Sequence, residues 1–212
     1  MRPPEDWRRA RVTLAIAALT TLAWLAAEVT GRQMQAAGWA GFNAYRFFYD
    51  GYAPGLWVWL TPLSATLVHA GLLHLGLNML MLLFCGRAVE NILGPLALGI
   101  LYLVGAYAAA AAQYAFDPHA TVPMVGASGA VSAVLGAYAI LFGRNRVRAA
   151  NVRVAEWLNA LWLMAGWVGL QLLIGFISQL GPLDIAIAAH IGGFIVGLLL
   201  ARPLLLFRYR KA

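Results

Sequence analysis

Gly126-Ala-Ser128-Gly129-Ala-Val-Ser132-Ala-Val-Leu-Gly136-Ala-Tyr-Ala-Ile-Leu-Phe142 contains no charged residue. It reads as a helix buried in an apolar medium, yet one too short to cross a bilayer unaided. The 15 residues from Ser128 to Phe142 span about 22 Å at 1.5 Å per residue, against a hydrocarbon core of about 30 Å. The helix should therefore start below one membrane surface, with the segment before it dipping inward. Non-helical backbone at that depth is tolerated only inside protein or beside water, so a water-accessible cavity is expected at this end. Ser128, Ser132 and Gly136 fall at i, i+4 and i+8 and make one face of small residues.

The surrounding chain supplies the solvent. Of its 212 residues 62% are hydrophobic and 11% charged, and the mean hydropathy is +0.75; a soluble domain runs at about 45–50% apolar and about 25% charged. The apolar residues fall in long blocks, so lipid covers much of the surface. Six blocks fit an all-α, polytopic membrane protein, with spans expected at 12–29, 71–89, 95–115, 128–142, 157–178 and 185–205. Residues 1–11 and 206–212 flank the membrane domain of 12–205 as a short leading segment and a basic tail. Arg8, Arg9 and Arg11 precede the first block as they would in a signal peptide. That block is longer than the usual stretch of about 7–15 apolar residues and ends in no small-x-small site, so it reads as a retained span. Gly94-Pro95 marks a helix start.

Orientation follows from the basic residues. With the N-terminus in the cytoplasm, six spans return the C-terminus there. The cytoplasmic side then carries Arg2, Arg8, Arg9, Arg11, Arg87, Arg144, Arg146, Arg148, Arg153, Arg202, Arg208, Arg210 and Lys211. That set holds 13 of the 15 basic residues, leaving Arg32 and Arg46 outside. The positive-inside rule selects this N-in, C-in arrangement. Basic residues at the ends of apolar blocks are topology signals and do not form a phosphate-tracking face, so the net charge of +7 does not point to nucleic acid. Cys85 stands alone and reads as a small buried hydrophobe, which removes an intrachain disulfide and any Cys-based metal site. Neither a metal nor a cofactor is expected. Short Arg-bounded loops fit a bacterial cytoplasmic membrane.

The stretch 39–59 is the exception among the loops. It holds Trp39, Phe42, Tyr45, Phe47, Phe48, Tyr49, Tyr52, Trp57 and Trp59 among polar neighbours. Such aromatics favour the headgroup zone, so this outer loop is expected in or on the membrane surface; the alternative is a folded aromatic-rich loop without lipid contact. His119 sits in a polar outer turn, and Glu90 is expected to cap or pair near the cytoplasmic face.

Polar groups inside a membrane are costly and point to function. The second span opens His69-Ala-Gly-Leu-Leu-His74-Leu-Gly-Leu-Asn78, the fourth Gly126-Ala127-Ser128-Gly129, and the sixth holds Ala189-His190-Ile191-Gly192-Gly193 followed by Gly197. Gly193 and Gly197 form a G-x-x-x-G pair with His190 one turn earlier. Small faces let two membrane helices approach closely. Both spans run from outside to inside, so Ser128 and His190 both lie toward the outer end, where close packing would set an imidazole beside a serine hydroxyl, a nucleophile with its general base. The unpaired N–H groups of the helix start favour negative charge. The Ser128 amide, His74 and Asn78, the last two at i and i+4, could donate to an oxyanion. With no acidic residue near His190, the pair is a dyad. Singly, each of these residues could be packing or interhelical hydrogen bonding; together on three spans they favour chemistry.

His74-x-x-x-Asn78, Gly126-x-Ser128-Gly129 and Ala189-His190-x-x-Gly193-x-x-x-Gly197 resemble the signature set of the rhomboid family of intramembrane serine proteases. His69, five residues before His74, and Gly86-Arg87-Ala88-Val89-Glu90 match it as well. The resemblance covers roughly 55–205. It implies a six-helix bundle, a Ser128–His190 dyad, and an oxyanion site of His74, Asn78 and the Ser128 amide. His69, Gly126, Gly129, Ser132, Gly193 and Gly197 are then packing residues around that site. It further implies transmembrane protein substrates cut near a helix-destabilised segment, with the fifth span and the loop before the sixth resembling the substrate gate. Two positions depart from the pattern. Many bacterial members carry an aromatic ring one turn after the serine, stacked on the histidine, where this chain has Ser132. The Trp-Arg pair of the first outer loop is not at its expected distance before His69, although Trp57 and Trp59 lie nearby. Two other classes fit the sequence less well. A catalytically inactive rhomboid-like protein that binds membrane clients would not need Ser128, His190, His74 and Asn78 together. A transporter or channel with a histidine relay would want a mid-membrane acid or an internal repeat, whereas Glu28 and Glu90 lie at helix ends.

Overall fold

The computed structural model describes residues 6–48, 55–143, 151–177 and 186–210. Tyr49, Tyr52, Ser178, Ile185, Arg2, Arg144, Arg146, Arg148 and Lys211, all used in the expectations above, lie outside the described residues. The described chain is helical, with no strand. Its longer helices are α1 (Arg11–Val29), α2 (Gln33–Ala40), α3 (Leu72–Leu93), α4 (Pro95–Phe116), α5 (Ser128–Phe142), α6 (Val152–Ile177) and α7 (Ile187–Tyr209). Among the described residues α1, α3, α4 and α7 are long and apolar enough to cross a membrane, while α5 and the stretch Trp157–Leu170 of α6 are shorter apolar helices.

α5 is the central element. It is buried without interruption from Ser128 through Ala137, so its walls are protein and its length is not set by the lipid. Glycines make this possible. A Cβ on Gly193 of α7 would strike the carbonyl oxygen of Gly129, and one on Gly197 would strike that of Ala133. A Cβ on Gly136 of α5 would strike the Phe194 carbonyl and lie 3.0 Å from the Leu198 nitrogen. Residue numbers rise together along this seam, so α5 and α7 run parallel. On its other flank α5 meets α4 with numbers falling as they rise: Gly105 of α4 faces Ala130 and Ala133, and Gly129 faces Ala109. Gly192 of α7 completes the trio against Ala108 and Ala112 of α4. In lipid such packing, rather than water expulsion, holds helices together.

α3 is not one regular helix. Its middle, Leu82–Gly86, is a π-helical turn, and the helix continues to Leu93, four residues beyond the expected end at 89. At the wide turn α1 comes close: a Cβ on Gly86 would lie 3.0 Å from the Thr13 side chain. α1 buries only the stripe Thr13, Ala17 and Thr20, with Leu14, Leu19, Leu22 and Leu25 exposed.

The start of α1 is capped from outside. Ala10, at its N-cap, offers no side-chain acceptor. Instead the Glu90 carboxylate of α3 accepts from the Val12 and Thr13 amides at 2.9 and 2.8 Å and from the Thr13 hydroxyl at 2.7 Å. Glu90 is 1% exposed, and a carboxylate at a helix N-terminus satisfies both the orphan donors and the dipole. Nearby, Arg87 lies over the Trp7 ring at 4.5 Å and Asn91 donates to the Asp6 carbonyl at 2.9 Å. At the far end of the chain α7 runs through Pro203 to Tyr209, where the Tyr209 hydroxyl reaches the Ile92 carbonyl at 3.2 Å.

The described part of the aromatic loop is folded. Phe42 exchanges backbone hydrogen bonds with Met124 at 2.9 and 2.7 Å, and Phe47 packs edge-on against Trp59 and Tyr114. Its outer members stay uncovered: Trp39, Phe48, Trp57 and Trp59 are each about half exposed or more.

Replacing Glu90 by Ala strands two amides and a hydroxyl at the α1 N-terminus. The expected loss is about 2–4 kcal/mol, since hydrogen bonds to a charged group are worth about 1.5–3 kcal/mol. Thermal or denaturant unfolding of the detergent-solubilised protein should show it, and Glu90→Gln, which keeps one acceptor, should fall between wild type and Glu90→Ala.

Candidate functional site

The site is built around the first turn of α5. The segment leading into it is not helical, and its amides are paired with protein: Met124 with the Phe42 carbonyl, Gly126 with the Ala65 carbonyl at 2.9 Å, and Ala127 with His69 Nε2 at 3.3 Å. This is how irregular backbone is accommodated where lipid offers no partner. His69 is 1% exposed, and its acceptor role toward Ala127 places the ring proton of its neutral form on Nδ1.

Gly126 holds φ = +109°, which only glycine adopts without strain. The space over it is used as well. An ideal Cβ there would lie 2.6 Å from both Cε1 and Nε2 of His74, so the imidazole rests on the glycine backbone. His74 packs edge-on against His69 with ring centroids 5.0 Å apart, and its Nδ1 faces the Ala70 amide at 3.5 Å. That leaves Nε2 as the donor end, directed at the entry to α5. One turn along, Asn78 is fully buried and its amide donates to the His74 carbonyl at 2.8 Å. One N–H of that amide remains for another acceptor.

Ser128 opens α5 and His190 lies in the first turn of α7. The parallel glycine seam brings them together: Ser128 Oγ and His190 Nε2 are 2.7 Å apart, with the two residues 7% and 3% exposed. Among the described residues His190 Nδ1 has no hydrogen-bond partner, and none of their carboxylates stands behind the imidazole. The first amides of α5, starting at Ser128, have no acceptor within their own helix.

Ser132 is buried on the same face. Its hydroxyl donates to the Ser128 carbonyl at 2.7 Å and accepts from Trp167 Nε1 of α6 at 2.9 Å. The Trp167 ring lies 6.4 Å from the His190 ring. The spacing of Trp157, Trp162 and Trp167 gave no hint of this. Steps of five turn each residue about 140° from the last on a helix, so the three cannot share a face, and nothing in the pattern says which one turns inward. The structure leaves Trp157 and Trp162 51% and 73% exposed and Trp167 3% exposed.

Most of the residues picked from the sequence for this site sit in one neighbourhood, with Asn78 one turn below His74. His69, His74 and Gly126 form one wall, Ser128 and His190 the centre, and Gly129, Gly193 and Gly197 the seam beneath. His119 stands apart, beside Phe48 at 5.2 Å. Cys85 is a buried thiol in the π turn. No set of three or more His, Cys, Asp or Glu side chains converges on a metal position among the described residues.

This arrangement belongs to a helical membrane protein whose polar centre lies inside the bundle, and comparison with known proteins gives it a family. The Rhomboid domain matches residues 55–207. Rhomboid protease GlpG of Haemophilus influenzae is 31% identical over 195 residues, covering 91% of this chain and 90% of that protein. Rhomboid-related protein 2 of Mus musculus is 32% identical over 139 residues, covering 64% of this chain and 45% of the mouse protein. Rhomboid protease GluP of Bacillus subtilis is 30% identical over 152 residues, or 70% of this chain and 26% of the relative. The chain thus spans less than half the length of the mouse and Bacillus proteins and nearly all of the Haemophilus one. The chain belongs to the rhomboid family and is an integral membrane protein.

Two substitutions test the geometry directly. Gly193→Ala must push α7 off the Gly129 carbonyl, at a cost of about 1–3 kcal/mol for overpacking; unfolding should show the loss, and a disulfide or spin-label ruler across α5 and α7 should show the seam widened. Gly126→Ala adds left-handed strain and displaces His74, so histidine NMR shifts of His74 should move while those of His119 stay in place.

Proposed function

We propose that this protein is an intramembrane serine protease that hydrolyses peptide bonds in or near the transmembrane segments of membrane proteins. The observation that carries the proposal is the buried 2.7 Å contact between Ser128 Oγ and His190 Nε2, at a helix start flanked by His74. Relatives named as rhomboid proteases support it. In this scheme the chain has six spans with both termini in the cytoplasm, and the site opens to the outer side of a bacterial cytoplasmic membrane.

The chemistry follows from the donors and acceptors at hand. Ser128 Oγ attacks the scissile carbonyl carbon while its proton passes to His190 Nε2. The carbonyl oxygen becomes an oxyanion, held by the Ser128 amide at the α5 start, by His74 Nε2–H and by the free N–H of Asn78. His190 then gives its proton to the leaving amine, the C–N bond breaks, and an acyl-Ser128 ester remains. Water, deprotonated by the same imidazole, attacks the ester carbon; the C–Oγ bond then breaks, the new carboxyl terminus leaves, and His190 returns the proton to Ser128 Oγ. With no carboxylate behind it among the described residues, His190 relies on packing to keep Nε2 aimed at the hydroxyl.

Labelling of the detergent-solubilised protein with a fluorophosphonate probe tests the proposal. Wild type should label, and Ser128→Ala and His190→Ala should not. In a cleavage assay with a reconstituted transmembrane substrate, His74→Ala and Asn78→Ala should each slow turnover by about 100- to 1,000-fold, the usual effect of losing one oxyanion donor. Undiminished labelling of Ser128→Ala would place the nucleophile elsewhere. A folded wild type that neither labels nor cleaves in lipid would shift the assignment to a client-binding rhomboid-like protein.

A further inference from the structure

We propose that Trp167 is the positioning residue of the Ser128–His190 pair, acting on both partners at once through its ring and through its bond to Ser132. The inference rests on the protease assignment above and extends it to a residue on a helix that carries none of the reacting groups.

The geometry has two arms. Through its indole N–H, Trp167 donates to Ser132 Oγ at 2.9 Å, and Ser132 in turn donates to the Ser128 carbonyl at 2.7 Å. This chain fixes the first turn of α5, on which the Ser128 hydroxyl is mounted. Through its ring, Trp167 covers the His190 imidazole, with centroids 6.4 Å apart and planes inclined at 57°, inside the range of favourable aromatic pairs. That cover matters because His190 Nδ1 has no hydrogen-bond partner among the described residues. An imidazole whose hydrogen bond among the described residues is at Nε2 can swing about its χ angles, and the adjacent ring opposes the swing.

The position of Trp167 on α6 points the same way. Of the α6 side chains whose burial is described, the buried ones are Ala155, Asn159, Ala160 and Trp167, and Asn159 turns its amide back to the Ala155 carbonyl at 2.7 Å. Trp167 is the large one. A 26-residue helix that leaves Trp162, Leu161, Leu173 and Phe176 exposed sends Trp167, the large buried side chain among those described, to the candidate dyad. Trp167 thereby ties the placement of α6 to Ser128 and His190.

The test measures fluorophosphonate labelling as a function of probe concentration, separating the limiting rate from the half-saturating concentration, with the unfolding midpoint followed alongside. Trp167→Leu should lower the limiting rate about tenfold, the scale of one aromatic pair, and leave half-saturation unchanged. Trp167→Phe, which keeps a ring but no donor, should recover part of that loss. Ser132→Ala removes the indole bond together with the one to the Ser128 carbonyl, so it should be at least as slow as Trp167→Phe, and the double variant should be no slower than Ser132→Ala. Trp162→Leu, on the exposed face of α6, should label as wild type. Limiting rates in folded Trp167→Phe and Trp167→Leu equal to wild type overturn the proposal, as does an equal loss in Trp162→Leu. If Trp167→Leu does not fold, the Phe and Ser132→Ala pair decides. An inert wild type removes the protease assignment itself, whereas a reactive wild type with indifferent Trp167 variants removes only the role of Trp167.

Discussion

The contact on which the structure depends is backbone against backbone. α5 and α7 approach so closely that the missing side chains of Gly193, Gly197 and Gly136 are what allow carbonyl oxygens and helix backbone to touch. In lipid this closeness is favoured by dispersion and by the absence of anything better for a small-residue face to meet. The same approach fixes the interhelical distance to which the side chains above it must conform. Ser128 and His190 meet because they sit just above the first of these contacts, on helices that run parallel.

A second constraint governs the entrance. The strand of backbone before α5 has to find hydrogen-bond acceptors without a helix, and it takes them from Phe42, Ala65 and His69. The loop beyond α2 is consequently more than a surface anchor. Its Phe42 pairs with Met124 and its Asn43 side chain donates to the Thr121 carbonyl at 2.7 Å, so the loop holds the approach to Gly126 in place. His69 is part of the same arrangement, an imidazole serving as a fixed acceptor where a carbonyl would ordinarily stand.

Much of this was legible in the sequence because lipid leaves plain marks. Apolar blocks gave helices: 12–29, 95–115 and 128–142 agree with the observed limits within a residue, whereas α3 and α7 run four residues further and α6 starts five residues earlier than expected. Polar residues stood out against an apolar background, so Ser128, His190, His74, Asn78 and Gly126 could be named before their positions were known. What could not be named shares a different physics. Trp167 resembles any lipid-facing tryptophan until the rotation of α6 is fixed by its neighbours. Glu90 could be expected to cap something, but its partner is 77 residues away in the chain, and long-range pairing has no local signature. The aromatic loop divided its residues between an inner cluster and an outer face, a choice that depends on α4 and on the segment before α5, which periodicity in 39–59 does not encode.

The π turn in α3 has a consequence for how one helix serves both ends of the bundle. Asn78 and Glu90 are each buried, at 0% and 1% exposed, yet a regular α-helix would set them about 120° apart in azimuth. The wide turn at Leu82–Gly86 absorbs one extra residue and so rephases everything after it by about 100°. α3 thus behaves as two half-helices geared to each other, one timed to the α5 entrance and one to the α1 terminus. Its length between Asn78 and Glu90 is a clock setting: one residue more or fewer would turn Glu90 about 100° from the Val12 and Thr13 amides that it caps.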